Sequence, residues 1–327
     1  MRTIVDLYMN NFRRMWSRKG ILLLVLAFSL LALSLAVYFT AKFEVRGHLA
    51  WIGNGSSEAV KPQGFQVTEL KEAPRKSALV RGQYDAIVFD EGNGQYRIET
   101  LKNEEFRQLV LQAIQHPEQV RPDPSKRGVG TNVAGFLLMF LMLEGLLFMN
   151  LFTEDKENGT FKRVIVSSVG IGRYMAAQAL FTFSFVYVPT YATIAVIKLA
   201  FGVDIGFSLA AYAGLLAVPV ALGTAFAWFL LACIEKLDNA MPLASTIILL
   251  TSLLSGSFGS RTAEYGFMYW ITGLLPQKRF LELVSGLERN EGIFAYAGQL
   301  GYVLALTLIL LLAGLAVVRR RVREGCY

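Results

Sequence analysis

The chain has 327 residues, of which 54% are hydrophobic and only 17% charged. Soluble domains carry roughly 25% charged residues, so this balance excludes an ordinary soluble enzyme and predicts a membrane protein with one modest aqueous part. The formal net charge of +7 does not read as a nucleic-acid footprint, because the bases sit beside apolar segments and form no stripe interleaved with aromatics.

From the N-terminus, residues 1–19 predict an amphipathic helix. Val5, Tyr8, Met9, Phe12 and Trp16 recur at helical spacing, with Asp6, Asn10, Arg13, Arg14 and Ser17 on the other side. Such a helix suits the membrane interface on the cytoplasmic side. Residues 20–41 follow as a first transmembrane helix, whose charge-free stretch Ile21–Ala41 is long enough for a hydrocarbon core of ~30 Å. Arg13, Arg14, Arg18 and Lys19 in front of it place its start in the cytoplasm.

Residues 42–127 change composition abruptly and hold five of the nine prolines. Val45–Ile52, Phe65–Glu69, Tyr84–Asp90 and Tyr96–Leu101 read as strands, Ala78 and Leu79 as part of a short helix, and Asn103–Gln115 as a helix closed by Pro117. The first span would deliver this small α/β domain to the extracellular side. His48 and His116 are the only histidines, and they lie far from any serine–carboxylate or metal-ligand spacing. Cys233 and Cys326, the two cysteines, form no disulfide or zinc pattern.

Residues 128–327 predict five further crossings: Val129–Thr153, Met175–Ala200, Phe207–Ile234, Ala240–Phe258 and Gln299–Val318. Glu235–Asn239 reads as a tight turn. Arg319, Arg320, Arg321 and Arg323 anchor the C-terminus in the cytoplasm. The expected fold is therefore a mainly α-helical polytopic membrane protein with six transmembrane helices, both termini inside. Pro189, Pro219 and Pro242 predict kinks or locally opened backbone, and Ser252 with Gly256 makes a small-xxx-small pair. Glu144 is the sharpest residue in the core, since a carboxylate there costs about 2.5–3.5 kcal/mol even on the lenient insertion scale. It either lines a translocation path or hydrogen-bonds a hydroxyl or amide of a neighbouring span. The outer loop 259–298 contains apolar Phe267–Leu275 and amphipathic Arg279–Leu287, too broken to cross twice. It would dip back as a re-entrant pair or lie flat as an aromatic belt.

The charged run Glu154–Arg163, EDKENGTFKR, falls on the cytoplasmic side by span count. Gly159 permits a sharp turn, Thr160 is placed to cap a following helix, and mixed charge suits a reversible docking surface. No G-x-x-x-x-G-K-[ST] phosphate loop occurs in the chain, so ATP hydrolysis is not expected here and the chain is not read as an enzyme.

In topology the whole chain resembles the permease subunits of type-2 ABC exporters. The specific part is Glu157-Asn-Gly159-Thr160 with Arg163, continuing to Arg173 and Tyr174, which looks like that family's E-x-G-T…R segment. Ser167 and Ser168 stand where the family carries a proline. Leu274-Leu275-Pro276 resembles its outer re-entrant segment. The resemblance implies a coupling segment at 154–168, with Glu154, Glu157, Gly159, Thr160 and Arg163 docking on an ABC ATPase. It further implies two ATPase copies holding ATP and magnesium, no cofactor in this chain, a second permease (identical or homologous) and an outer gate at Leu274, Leu275 and Pro276. The implied function is export of a hydrophobic or amphipathic molecule, such as a drug, peptide antibiotic or lipid, across the plasma membrane. Two other readings stay open: a receptor whose extracellular domain binds a ligand, and a proton-coupled carrier using Glu144.

Overall fold

The computed structural model describes residues 2–44, 47–53, 65–70, 74, 77–90, 96–115, 127–167, 169–203, 205–234, 237–258 and 267–325. Ser168, His116, Pro117, Glu235, Lys236, Cys326, the first two residues of the expected strand Val45–Ile52 and the 259–266 part of the loop lie outside them.

Two compact units emerge, Tyr38–Lys126 on one hand and Met1–Val37 with Arg127–Tyr327 on the other. In the smaller unit, strands β1 (Gly47–Ile52), β2 (Phe65–Glu69), β3 (Ala86–Asp90) and β4 (Tyr96–Thr100) form one sheet in the order β2-β1-β3-β4. β1 runs parallel to both β2 and β3, and β3 pairs antiparallel with β4. Period-two alternation places Leu49, Trp51, Ala86, Val88 and Ile98 in a common core with Val110 and Ile114 from one helix. That helix is Glu104–Gln115, begun by Asn103 Oδ1 accepting from the Phe106 amide at 3.3 Å. A single turn of helix, Ser77–Val80, precedes β3. Asp85 ties the strand ends together: its Oδ2 accepts from the His48 amide at 2.9 Å and its Oδ1 pairs with Lys102 at 2.7 Å.

The larger unit is helical. In chain order the helices of the whole molecule are α1 (Arg2–Trp16), α2 (Lys19–Glu44), α3 and α4 (the two of the α/β unit), α5 (Val129–Glu157), α6 (Thr160–Val166), α7 (Ile171–Phe201), α8 (Leu209–Cys233), α9 (Leu237–Leu254), α10 (Phe267–Gly273), α11 (Pro276–Glu288) and α12 (Ala297–Arg323). Among the described residues four helical stretches are long and apolar enough to cross a membrane: Val129–Glu157, Ile171–Phe201, Leu209–Cys233 and Ile293–Arg323. Two shorter apolar stretches, Leu23–Tyr38 in α2 and Asn239–Leu254 in α9, stand where the first and fifth of the six expected crossings fall. The helices outrun the apolar windows read from sequence. Charge limits the hydrocarbon-crossing part of a helix, not its hydrogen bonding, so α5 continues through Glu154–Glu157 and α12 through Arg319–Arg323.

Helix α5 is the hub, packed on α7, α8, α9 and α11. It crosses α8 where Gly145 meets Gly223: a Cβ on Gly223 would stand 2.8 Å from Met142 Cα, and one on Gly145 3.0 Å from the Gly223 carbonyl carbon. Only glycine allows backbones so close. Ser252 and Gly256, by contrast, do not form a helix face. Helix α9 ends at Leu254, and Gly256 lies in the following turn at φ +79°. Pro189, Pro219 and Pro242 sit inside α7, α8 and α9, which continue past them.

Candidate coupling site

The charged run is not a loop. Glu154–Glu157 form the last turn of α5, Asn158 ends it, and Gly159 at φ +65° starts α6. Gly159 itself occupies the N-cap position and no side chain caps the helix. The expected cap at Thr160 is corrected accordingly, because the left-handed turn places Thr160 one residue inside α6. Thr160 Oγ1 instead accepts from Arg163 Nη2 at 3.3 Å, and the same guanidinium reaches the Asn158 carbonyl at 3.4 Å, folding Arg163 back over the turn.

Phe161 fixes α6 to the bundle. It is fully buried, 5.4 Å from the Phe152 ring and 5.1 Å from that of Tyr174. With this one anchor inside, Lys162, Arg163, Val166 and Ser167 are left exposed, and Glu157 and Asn158 are exposed beside them. Val166 is 82% exposed, an apolar side chain presented to the outside.

The first two acids of the run are engaged by α1 and by Arg18 just beyond its end. Arg18 grips Glu154 with two bonds of 2.7 and 2.9 Å. Arg14 pairs with Asp155 at 2.8 Å and reaches Glu154 at 3.7 Å. Tyr174, on α7, donates to the other Asp155 oxygen at 2.5 Å. The hydrogen bond from Arg18 to Glu154 holds that guanidinium above its usual, already high, pKa. Helix α1 packs part of its apolar face, together with Asn11, on α7. Tyr8, Asn11 and Phe12 pack on α7, with Asn11 Nδ2 donating to Gln178 at 2.6 Å and the Phe12 and Phe185 rings 5.6 Å apart, and Met15 is buried. Val5, Met9 and Trp16 stay exposed.

Basic residues close the same end of the bundle. Lys156 Nζ donates to the Leu231 and Ile234 carbonyls at 2.7 and 3.0 Å, and Arg321 to that of Cys233. Two cations thus satisfy the last carbonyls of α8, where the helix dipole is negative. At the other end the Glu288 carboxylate accepts from the Gly130 and Thr131 amides at 2.6 and 2.9 Å and from the Thr131 hydroxyl at 2.6 Å, the mirror-image arrangement at the start of α5.

Glu144 is fully buried between α2, α5 and α7. Its Oε1 accepts from Ser29 Oγ at 3.4 Å, and Ser29 in turn lies 3.1 Å from the Thr190 hydroxyl. The other Glu144 carboxylate oxygen, Oε2, is buried with no hydrogen-bond partner among the described residues. Leu274 and Leu275 form the break between α10 and α11, and Pro276 opens α11. Leu274 is 70% exposed, and its carbonyl accepts from Tyr302 at 2.6 Å. Gln277, which follows Pro276, approaches Met142 Sδ at 3.7 Å, so the start of α11 lies beside the middle of α5, two residues from Glu144 in sequence.

Sequence reasoning missed Phe161, Asp155 and the Gly145–Gly223 contact. Phe161 carried a signal, the one aromatic in a polar stretch. The other two become visible only when their partners are known.

Fold and site together define a polytopic helical membrane protein with a short, rigidly anchored helix presented at one charged end. The chain belongs to the ABC-2 family of transporter proteins: the family model described as ABC-2 family transporter protein matches residues 66–316. Comparison with curated proteins gives no match. Membership makes the chain a membrane-embedded permease of an ABC transporter and implies association with an ABC ATPase.

Proposed function

We infer that this chain is the translocating subunit of an ABC exporter in the plasma membrane, with six crossings, both termini cytoplasmic and the α/β unit outside. The observation that carries this reading is α6, locked by Phe161 against Phe152 and Tyr174 yet exposing Lys162, Arg163 and Val166. A short helix held stiffly by its base and polar at its tip suits the transmission of a push. Two ATPase subunits, binding ATP and magnesium, would press on it, while a second permease, identical or homologous, completes the path for a hydrophobic or amphipathic molecule. Four helices are long and apolar enough to cross, and with the two shorter apolar stretches counted as crossings the total would be six. The even number returns the chain to the side on which the basic ends Arg13–Lys19 and Arg319–Arg323 belong.

The test is co-purification with an ATPase and stimulation of ATP hydrolysis by substrate, in the wild type and in Gly159→Ala and Arg163→Ala. No atom stands within 4 Å of a Cβ on Gly159, so Gly159→Ala costs only the left-handed conformation, about 1 kcal/mol. Both variants should fold, with ATPase binding or substrate stimulation reduced about tenfold or more, since a loss of ~1.4 kcal/mol in docking suffices for that. Full assembly and transport in both would remove the coupling role. Dependence on a proton gradient without an ATPase would identify a carrier.

A further inference from the structure

Lys278 is the one lysine that the helical unit buries in its half away from the coupling helix, among the described residues, with 8% of its surface exposed. It sits in the first turn of α11, where helix N–H groups already make the potential positive; that turn has no acidic residue, and Arg279 follows directly. Arg279 has a carboxylate, Glu282, at 3.2 Å. Lys278 has none. Its ammonium donates to Thr272 Oγ1 at 3.1 Å and lies 4.7 Å from the centre of the Tyr269 ring, both on α10. A lysine stem is long enough to carry its charge to water, yet this one turns inward to one hydroxyl and one ring face. An ammonium has three donors and a full charge, so its environment is short of an anion.

What covers the ammonium is thin. Helix α10 has only 7 residues. Its outer side is apolar and open, with Phe267 79% and Trp270 75% exposed. A charge beneath a short apolar helix matches a ligand that has both an acidic head and an apolar tail.

Resting on the permease reading above, we propose that Lys278 and Thr272 receive the acidic headgroup of a transported anionic amphiphile, a phosphate or carboxylate on an alkyl chain. Tyr269 is the placeholder that the headgroup displaces, and the tail lies along Phe267 and Trp270. The hydrogen bond to Thr272 and the ring over the cation then keep α10 closed when no ligand is present.

The experiment is direct binding to the full-length chain in uncharged maltoside micelles, read by quenching of tryptophan fluorescence with 12-bromododecyl phosphate. A Trp270→Phe control assigns the signal. Wild type should bind this probe at least about tenfold more tightly than 12-bromododecanol, the worth of one charge-assisted hydrogen bond. Inorganic phosphate should compete only at concentrations at least about tenfold higher, since it lacks the tail. Lys278→Met should abolish the preference for phosphate over alcohol, and Lys278→Arg should keep it. Tyr269→Leu should tighten phosphate binding by freeing the ammonium. Equal binding of the two bromododecyl compounds to wild type, inorganic phosphate binding as tightly as the probe, or weaker binding in Tyr269→Leu would each overturn the proposal. These measurements decide the matter even if Lys278→Met does not fold. Binding is read without an ATPase, so a chain that shows the preference but recruits no ATPase keeps the site and loses the transport reading. The reverse result loses only the site.

Discussion

Arg14 and Arg18 both hold acids of the charged run, but the two pairs differ in what their loss leaves behind. Asp155 keeps only 5% of its side-chain surface, whereas Glu154 keeps 23% and faces a 41% exposed Arg18. Removing Arg14 leaves a buried carboxylate with a tyrosine hydroxyl as its remaining partner. Arg14→Met should therefore cost about 3 kcal/mol, and Arg18→Met less than about 1 kcal/mol. Thermal unfolding of the two purified variants checks the order; equal losses would mean that Asp155 is wetter than its packing indicates. Asp85, in the α/β unit, gives a residue-level prediction of another kind. Burial acts to raise its pKa, but the bond from Lys102 and the His48 amide outweigh it, and the net shift is downward. A carboxylate lowered on folding stabilises above its ordinary pKa, and that stabilisation is lost as pH falls through the lowered value. Asp85→Asn should cost ~1 kcal/mol at pH 7, lowering the calorimetric midpoint of the unit by about 4–8 °C. The gap from wild type should close in acid, below the usual carboxylate range. A gap that persists there would assign the effect to the amide's poorer geometry and not to charge.

Among the elements, the α5–α8 crossing is set by the glycine pair and not by propensity. Helix α8 contains Gly214 as well as Gly223, and in an isolated helix each costs about 1 kcal/mol against alanine. Their surroundings separate them. A Cβ at Gly214 meets nothing within 4 Å, while one at Gly223 would stand 2.8 Å from the α5 backbone. Gly214→Ala should be neutral or stabilising by up to ~1 kcal/mol, and Gly223→Ala should destabilise by about 1–3 kcal/mol through forced separation of the helices. The folded fraction of each variant after heating in detergent, measured by size-exclusion chromatography, distinguishes them. The helices themselves were readable because their signal is local: twenty apolar residues in a row, or a repeat at three and four positions, involve no distant partner. The Phe65–Glu69 strand was legible for the same reason. Boundaries were less so, as the run of four arginines near the C-terminus shows; charge marks the edge of the membrane, and α12 continues as a helix through Arg319–Arg323.

For the molecule as a whole, α1 ties the end of α5 that precedes α6 to α7. It touches α7 along Tyr8, Asn11 and Phe12 and holds α5 through Arg14 and, just beyond its end, Arg18. Deleting residues 2–16 would uncover Gln178, Phe181 and Phe185 and leave Asp155 without its cation. The expected outcome is an inserted protein whose ATPase recovery on co-purification falls about tenfold or more, equivalent to ~1.4 kcal/mol. Unchanged recovery would show that α6 is positioned by Phe161 alone. The sequence by itself determined the membrane character, the order of apolar helices, the separate α/β insertion, the family resemblance at 154–174 and the need for a turn at Gly159. Each of these follows from composition or from neighbours a few residues apart. Only the tertiary structure decided that Glu154 and Asp155 are engaged within the chain, leaving the tip of α6 as the free surface, and that α1 turns Asn11 and Arg14 inward. Arg14 and Asp155 are 141 positions apart, and Asn11 and Gln178 are 167 apart. No local periodicity encodes such pairings, because they depend on which helix faces the packing of the bundle brings together.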